Sequence, residues 1–259
     1  MELTLYQIDA FANKTFEGNP AAICPLKEWL SDELMQSIAT ENNLSETAYF
    51  VKSNNGYHIR WFTPAHEVDL CGHATLASAY VIFHILGHKD NVIQFESKSG
   101  VLTVKRNNDW LEMNFPSQPP VKCNTPQQIL NAFDETPVEC LKSEDYIVVF
   151  ENEKSVLNAS PNLSILSELD LRGVAITSVS KKYDFITRFF APKYGINEDP
   201  VTGSAFTQLI PYWSNKLNKN NLNAKQVSKR GGEVTCICSG ERVQISGKAV
   251  KYMVGTIEI

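Results

Sequence analysis

One stretch of this 259-residue chain decides its fold: Asp69-Leu70-Cys71-Gly72-His73-Ala74-Thr75-Leu76-Ala77-Ser78-Ala79. Apolar side chains continue from Val81 to Leu86, and Gly87 then predicts the end of a helix. The pattern predicts a buried helix near residues 73–86 with a polar start. Backbone N–H groups at such a start lack helical partners and can face an anion.

A helix with few exposed polar positions has to be covered on most of its sides. Alternating apolar and polar residues predict strands on both sides of this helix in the sequence, at residues 3–9, 58–62, 92–96, 100–106 and 110–115. A curved sheet wrapped around the helix would provide the cover. We therefore expect an α+β fold.

An internal repeat extends this interpretation to the whole chain. Arg60-Trp61-Phe62-Thr63-Pro64 is echoed by Arg188-Phe189-Phe190-Ala191-Pro192, 128 residues later. Each segment leads into a glycine-containing turn and an apolar helix, the second of them near residues 203–217. The repeat predicts two similar domains, each a curved or barrel-like β-sheet around a central α-helix.

The domain boundary is predicted from proline content. Pro116, Pro119 and Pro120 indicate a stiff linker. We expect an N-terminal domain over residues 1–115 and a C-terminal domain over residues 121–259, with the last strand able to return to the first domain.

Composition excludes several classes of protein. The net charge is −5 and no basic run occurs, which argues against a nucleic-acid partner. No apolar run reaches the length needed to span a membrane, and the first residues lack a signal-peptide pattern. We therefore expect a cytoplasmic protein without a membrane partner, in which the six cysteines are thiols.

Four motifs carry a resemblance to a known family: Gly18-Asn19-Pro20-Ala21-Ala22, Asn43-Leu44-Ser45-Glu46-Thr47-Ala48, Cys71-Gly72-His73-Ala74-Thr75 and Glu198-Asp199-Pro200-Val201-Thr202-Gly203-Ser204-Ala205. In order and spacing they resemble the phenazine-biosynthesis isomerase (PhzF-like) family, which is related to diaminopimelate epimerase. The resemblance covers essentially the whole chain. It implies the diaminopimelate epimerase-like fold, an active site in the cleft between two barrel-like domains, proton transfer without a cofactor, and a homodimer.

The resemblance also implies roles for individual residues. The family's catalytic carboxylate falls on Glu46, its histidine on His73, and the aspartate of its second-domain motif on Asp199. The hypothesis is that Glu46 removes a proton from a carbon next to a carbonyl or unsaturated group and returns it elsewhere. Without the motif, Glu46 would be interpreted as an exposed carboxylate and Asp199 as a helix N-cap.

The remaining predicted site residues are substrate contacts. Gly72, Gly203 and Ser204 lie at the two helix starts, where backbone N–H groups and a hydroxyl can bind carboxylates, although glycine there is also explained by tight packing. Asn19 could orient a polar group of the substrate, but Gly-Asn-Pro is also an ordinary turn. At a helix start the dipole is expected to lower the pKa of His73.

The cysteines depart from the pattern of the epimerase relatives, which use two facing thiols. Cys71 stands where the first would be, but the motif from Asp199 to Ala205 contains no cysteine, which opposes a two-thiol racemase. Cys71 could be a packed thiol, a proton carrier or an inert relic, and we favour the packed thiol. Cys236 and Cys238 lack the partners of a zinc site, and we predict no metal.

These observations favour a cofactor-free isomerase or epimerase that moves a proton on a small, anionic, carboxylate-bearing metabolite. The alternative is a catalytically silent small-molecule-binding protein with the same fold.

Overall fold

A computed structural model describes residues 1–259 and divides them into two compact units. The first contains Met1–Asn114 and Ser246–Ile259, and the second contains Phe115–Ile245. The final residues therefore group with the first unit rather than with the rest of the predicted C-terminal domain.

Strands dominate both units, and they are numbered here along the chain. They are β1 Glu2–Ala10, β2 Asn19–Leu26, β3 Glu46–Ser53, β4 Gly56–Phe62, β5 Glu67–Val68, β6 Val92–Ser97, β7 Gly100–Asn107, β8 Trp110–Pro116, β9 Val121–Lys122, β10 Glu139–Lys142, β11 Tyr146–Val149, β12 Val174–Val179, β13 Phe185–Ala191, β14 Ile196–Asp199, β15 Asn221–Gln226, β16 Gly232–Ser239, β17 Arg242–Gly247 and β18 Ala249–Glu258.

The α-helices are α1 Asp32–Asn42, α2 Gly72–Tyr80, α3 Gln127–Ala132, α4 Glu153–Asn158, α5 Leu163–Leu166 and α6 Phe206–Leu217. Short 3₁₀ turns lie at Pro192–Tyr194 and Gly203–Ala205. Helix α1 begins after Ser31, whose hydroxyl accepts the Leu34 N–H at 3.3 Å, as expected of an N-cap. None of the helices is long and apolar enough to cross a membrane.

In the first unit the strands pair in the order β18-β1-β2-β3-β4-β6-β7-β8, and β5 adds to β4. The β2–β3 and β4–β6 pairs are parallel and the others are antiparallel. In the second unit the order is β9-β10-β11-β12-β13-β15-β16, with β14 on β13. The steps from β1 to β7 and from β10 to β16 thus repeat the same sequence of parallel and antiparallel pairs.

The sequence repeat occupies equivalent places in the two units. In the first, Arg60 on β4 binds Glu67 on β5, with Nε and Oε1 2.7 Å apart. In the second, Arg188 on β13 binds Glu198 on β14 at the same distance between the same atoms. The hydrogen bond from Arg60 is the largest influence on Glu67 and holds the pKa of its carboxyl at about 2. The repeated motif therefore fastens an adjacent short strand in each unit.

Helix α2 is the central helix of the first unit. All residues from His73 to Ala79 are buried, and the helix packs against β1, β2, β3 and β18. The predicted continuous helix over 73–86 differs in its last turn: Val81–Ile85 is π-helical, with the Leu86 N–H donating to the Val81 carbonyl. Gly87 follows at φ +72°, in agreement with the predicted glycine stop.

The second unit has its own central helix. The prediction near 203–217 divides into the 3₁₀ turn Gly203–Ala205 and helix α6, which packs against β15 and β16. Its apolar face joins an aromatic core, in which the rings of Trp213 and Phe185 stack with centroids 5.6 Å apart. Both units therefore place an apolar helix against a sheet, and the α+β fold is confirmed.

The turn before β2 is set by a glycine. Gly18 has φ +68°, and a Cβ added there would lie 2.1 Å from the carbonyl oxygen of Ala10 in β1. That oxygen belongs to backbone paired in the sheet, so it cannot move aside cheaply. Gly18 thus allows β2 to begin at Asn19 directly beside β1.

We expect Gly18→Ala to destabilise the chain by about 3 kcal/mol or more, because positive-φ strain adds to a backbone clash. The matched control is Gly87→Ala. It has a similar φ but no atom within 4 Å of the added Cβ, and should cost about 1 kcal/mol. Urea unfolding followed by tryptophan fluorescence measures both, and equal losses would contradict the clash.

Candidate active site

The start of α2 meets the starts of two neighbouring strands in the first unit. Strands β2 and β3 are parallel, and their register sets Ala21 opposite Glu46. Asn19, two residues before Ala21, therefore lies beside the residues that lead into β3. With α2 packed on both strands, the structure brings together Asn19, Glu46 and His73, which are distant in the sequence.

Glu46 and His73 form the centre of this cluster. Nε2 of His73 lies 3.0 Å from Oε2 of Glu46, and the two side chains are 8% and 14% exposed, respectively. The atoms are close but not aligned as a hydrogen bond, and neither has another hydrogen-bond partner. Two buried polar atoms are thus left open on the same side of the ring, which is uncommon in a folded protein.

The other nitrogen of His73 is surrounded. Nδ1 lies 3.4 Å from Nδ2 of Asn19 and 3.5 Å from Sγ of Cys71. Asn19 is fully buried, and the hydroxyl of Ser45 donates to its Oδ1 at 3.2 Å. The asparagine predicted to bind substrate therefore contacts the histidine and the serine, and its predicted role toward substrate stays a prediction.

The pKa of His73 differs from the expectation. Burial lowers it, but the neighbouring side chains of Cys71 and Glu46 raise it, and the net pKa lies well above the ordinary value of 6.5. The helix dipole was expected to lower this pKa. That expectation is wrong, because Cys71 and the Glu46 carboxylate 3.0 Å away together outweigh burial and the partial charge of a helix end.

Cys71 is packed and protonated rather than poised as a nucleophile. Burial raises the pKa of its thiol, the charge of Glu46 raises it further, and His73 lowers it. A buried thiol with a raised pKa is a weak nucleophile at neutral pH. The interpretation as a packed thiol holds, with the added contact to His73.

The three donors Glu46, Cys71 and His73 lie within 4.8 Å of one another, close enough to raise the question of a metal. The thiol, however, contacts Nδ1 and the carboxylate contacts Nε2. One ion can bind only one nitrogen of an imidazole ring. The closest contacts of the thiol and the carboxylate therefore involve different ring nitrogens.

In the second unit, Asp199 ends β14 and begins the turn that leads into α6. Its Oδ2 accepts the hydroxyl of Thr202 at 2.5 Å, and its carbonyl accepts Nε2 of Gln226 at 2.7 Å. Gln226, which is fully buried, also accepts the Thr202 N–H at 2.8 Å. Thr202, not Asp199, immediately precedes the first helical turn, so the N-cap alternative for Asp199 is wrong.

The two predicted substrate contacts of the second unit follow Thr202. Gly203 is buried, whereas Ser204 is partly exposed. The hydroxyl of Thr207 contacts the Ser204 carbonyl at 2.6 Å and so stabilises the first turn. Gly72, at the start of α2 in the first unit, is likewise partly exposed. The structure therefore places each predicted glycine at a helix start.

The sequence analysis missed a buried charge in the second unit. Asp145 is fully buried and binds Arg172 through two hydrogen bonds of 2.9 and 2.6 Å, while Gln208 of α6 donates to it at 2.6 Å. Burial lowers the pKa of Arg172, but its bonds to Asp145 and the charges of Asp145, Glu144 and Asp199 raise it. The positive charge of Arg172 thus interacts electrostatically with Asp199.

Comparisons with known proteins agree with these observations. The family model described as phenazine biosynthesis-like protein (PhzC-PhzF) matches residues 8–255. A protein of Pseudomonas aeruginosa named as an uncharacterized isomerase is 51% identical over 259 residues, covering 100% of both chains.

Solved structures match as well. A PhzF-family phenazine biosynthesis protein of Enterococcus faecalis has a TM-score of 0.98 at 42% identity, with 100% of both chains covered. A predicted epimerase of P. aeruginosa shares the fold, with a TM-score of 0.76 at 18% identity over 98% of this chain and 99% of that chain. The chain therefore belongs to the PhzC-PhzF family of phenazine biosynthesis-like proteins.

Proposed function

We propose that this chain is an isomerase that moves a proton on a small anionic metabolite without a cofactor. The observation that carries the proposal is the Glu46–His73 pair, whose facing atoms are buried, lie 3.0 Å apart and have no hydrogen-bond partner. The isomerase name of the close P. aeruginosa relative supports the reaction class.

In the proposed reaction Glu46 is the base and then the acid. Its Oε2 takes a proton from a carbon next to a carbonyl or unsaturated group, and the electron pair of the broken C–H bond moves into the adjacent π-system. The same carboxyl then returns the proton to another carbon, or to the other face of the same carbon. Protons and electrons balance within the substrate.

His73 stabilises the charge that develops in that step. Its Nε2–H lies beside Oε2 of Glu46 and can donate to a substrate oxygen that becomes negative there. This donation works with either a neutral or a charged ring, because both forms can carry the proton on Nε2. Burial of the ring strengthens the interaction, since water does not compete for the same atoms.

Substrate binding is proposed for the residues at the two helix starts. Gly72 at the start of α2 and Gly203 with Ser204 before α6 would bind carboxylate oxygens through backbone N–H groups and a hydroxyl. In the second unit, Asp199 would accept a hydrogen bond from a hydroxyl or amine. A homodimer is part of the proposal through the family resemblance.

We expect Glu46→Gln to lose about 10²-fold or more in the rate of deuterium incorporation from deuterated water into a substrate, because the amide cannot carry the proton. A panel of small carboxylate-bearing metabolites is incubated with the chain and analysed by mass spectrometry. The matched control is Glu41→Gln, which removes an exposed carboxylate at the end of α1.

Full exchange by Glu46→Gln would remove Glu46 from the mechanism. Metabolite binding without exchange by the natural chain, detected by calorimetry across the same panel, would favour the silent binding protein instead.

The raised pKa of His73 predicts a pH-dependent contribution to stability. A group whose pKa is raised on folding stabilises the folded chain fully below its unfolded value, near 6.5, and loses that contribution as pH rises through the folded-state pKa. We therefore expect the stability lost in His73→Gln to be largest below about pH 6.5 and to shrink at higher pH.

Urea unfolding between about pH 5 and about pH 9 measures this difference. His66→Gln, at an exposed loop histidine, is the matched control. A loss in His73→Gln that stays constant or grows as pH rises would show that Glu46 does not favour the protonated ring.

A further inference from the structure

Nδ1 of His73 is the ring nitrogen that faces away from Glu46, and its neighbours are the subject of a further inference. These neighbours position the histidine. Their importance for catalysis rests on the proposed function. The contacts that carry the inference are present without any substrate, so they can be tested without turnover.

The proton on a neutral imidazole occupies one nitrogen, and the neighbours of both nitrogens decide which one. Oε2 of Glu46 lies 3.0 Å from Nε2 and, as a carboxylate oxygen, can only accept. A lone pair on Nε2 would face the carboxylate and be repelled. In the neutral ring the proton therefore belongs on Nε2, and Nδ1 has to be an acceptor.

Nδ1 is supplied with donors that fit this assignment. The amide Nδ2 of Asn19 lies 3.4 Å away, and Sγ of Cys71 lies 3.5 Å away. Burial keeps the Cys71 thiol protonated, so its S–H can donate weakly. Asn19, Cys71 and His73 are all buried, so bulk water does not replace either donor.

The orientation of the Asn19 amide decides what Nδ1 meets. A rotated amide would present Oδ1 and would accept a proton from Nδ1, as suits a doubly protonated ring. In this structure Oδ1 accepts the hydroxyl of Ser45 at 3.2 Å, and Nδ2 faces the ring. Ser45 immediately precedes Glu46, the first residue of β3, so the serine that contacts Asn19 and the carboxylate that contacts His73 are adjacent in the chain.

We propose that Asn19, held by Ser45, is a positioning residue that keeps the single proton of the neutral His73 ring on Nε2, facing Glu46. The titratable groups that act on the ring are Cys71 at its own helix start and Glu46 on β3, whereas β2 contributes the neutral amide. Carboxylate and amide thus act on opposite nitrogens, and the ring can both donate and recover a proton.

The test is nitrogen NMR of the substrate-free chain labelled with ¹⁵N in its histidine rings, with His73 assigned by the signals lost in His73→Gln. Above its pKa, natural His73 should show a protonated Nε2 and an unprotonated Nδ1. Asn19→Asp places an acceptor at Nδ1 and should raise the pKa of His73, so that both nitrogens stay protonated to higher pH.

Ser45→Ala is the second variant, because it leaves the buried asparagine in place and alters a partly exposed residue. It should release the amide and shift the His73 signals in the same direction as Asn19→Asp, by less. Ser45→Thr keeps the hydroxyl and should leave both nitrogen signals and the pKa unchanged.

A neutral His73 with its proton on Nδ1 would overturn the proposal. So would Asn19→Asp or Ser45→Ala variants that fold but keep the natural tautomer and pKa. If Asn19→Asp does not fold, Ser45→Ala and Ser45→Thr decide. The NMR signals do not depend on substrate. If they match these expectations but the natural chain exchanges no deuterium into any metabolite, only the proposed function is contradicted.

Discussion

Burial of α2 from His73 to Ala79 is the constraint on which the rest of the first unit depends. Every residue from His73 to Ala79 is enclosed, so strands must cover the helix on its different sides, and β1, β2, β3 and β18 do so. Burial also removes water as a partner for polar atoms, so the thiol and ring at the helix start have to find partners within the protein. The strands that cover the helix supply them, as Asn19 from β2 and Glu46 from β3.

The two units use one scaffold for two different helix starts. Both have the same sequence of strand pairs, and both fasten a short strand with an arginine–glutamate pair at 2.7 Å. They differ where the helices begin. The first has a histidine beside a carboxylate with open atoms, whereas the second has Asp199 and Thr202 tied to Gln226. Duplication thus accounts for the shared fold, and divergence at the two turns provides unlike chemical groups.

The sequence predicts what local pattern determines and misses what arises from distant contacts. The apolar run after Gly72 and the repeated arginine motif predict the central helices and the two-part organisation because each depends on neighbouring residues. The roles of Glu46 and His73 follow only from family resemblance, since 27 residues separate them. Gln226 gives no local signal, because its partners are at least 24 residues away. The pKa of His73 differs from the expectation because the side chains of Cys71 and Glu46 both raise it; Cys71 is a neighbour in the sequence, but the approach of Glu46 depends on the fold.

The environment of His73 differs between its two ring nitrogens, which fits the proposed catalytic role better than a purely structural one. A buried histidine that serves only packing would be expected to have both nitrogens satisfied, because a buried polar atom without a partner costs about 1–3 kcal/mol. Here Nδ1 meets an amide and a thiol, while Nε2 and the Glu46 oxygen beside it have no aligned partner. The unfavourable free energy of unpartnered polar atoms therefore arises at Nε2 and the Glu46 oxygen, and not at Nδ1. A substrate that hydrogen-bonds to both open atoms would recover it on binding, and so the same two atoms would contribute to affinity and to proton transfer.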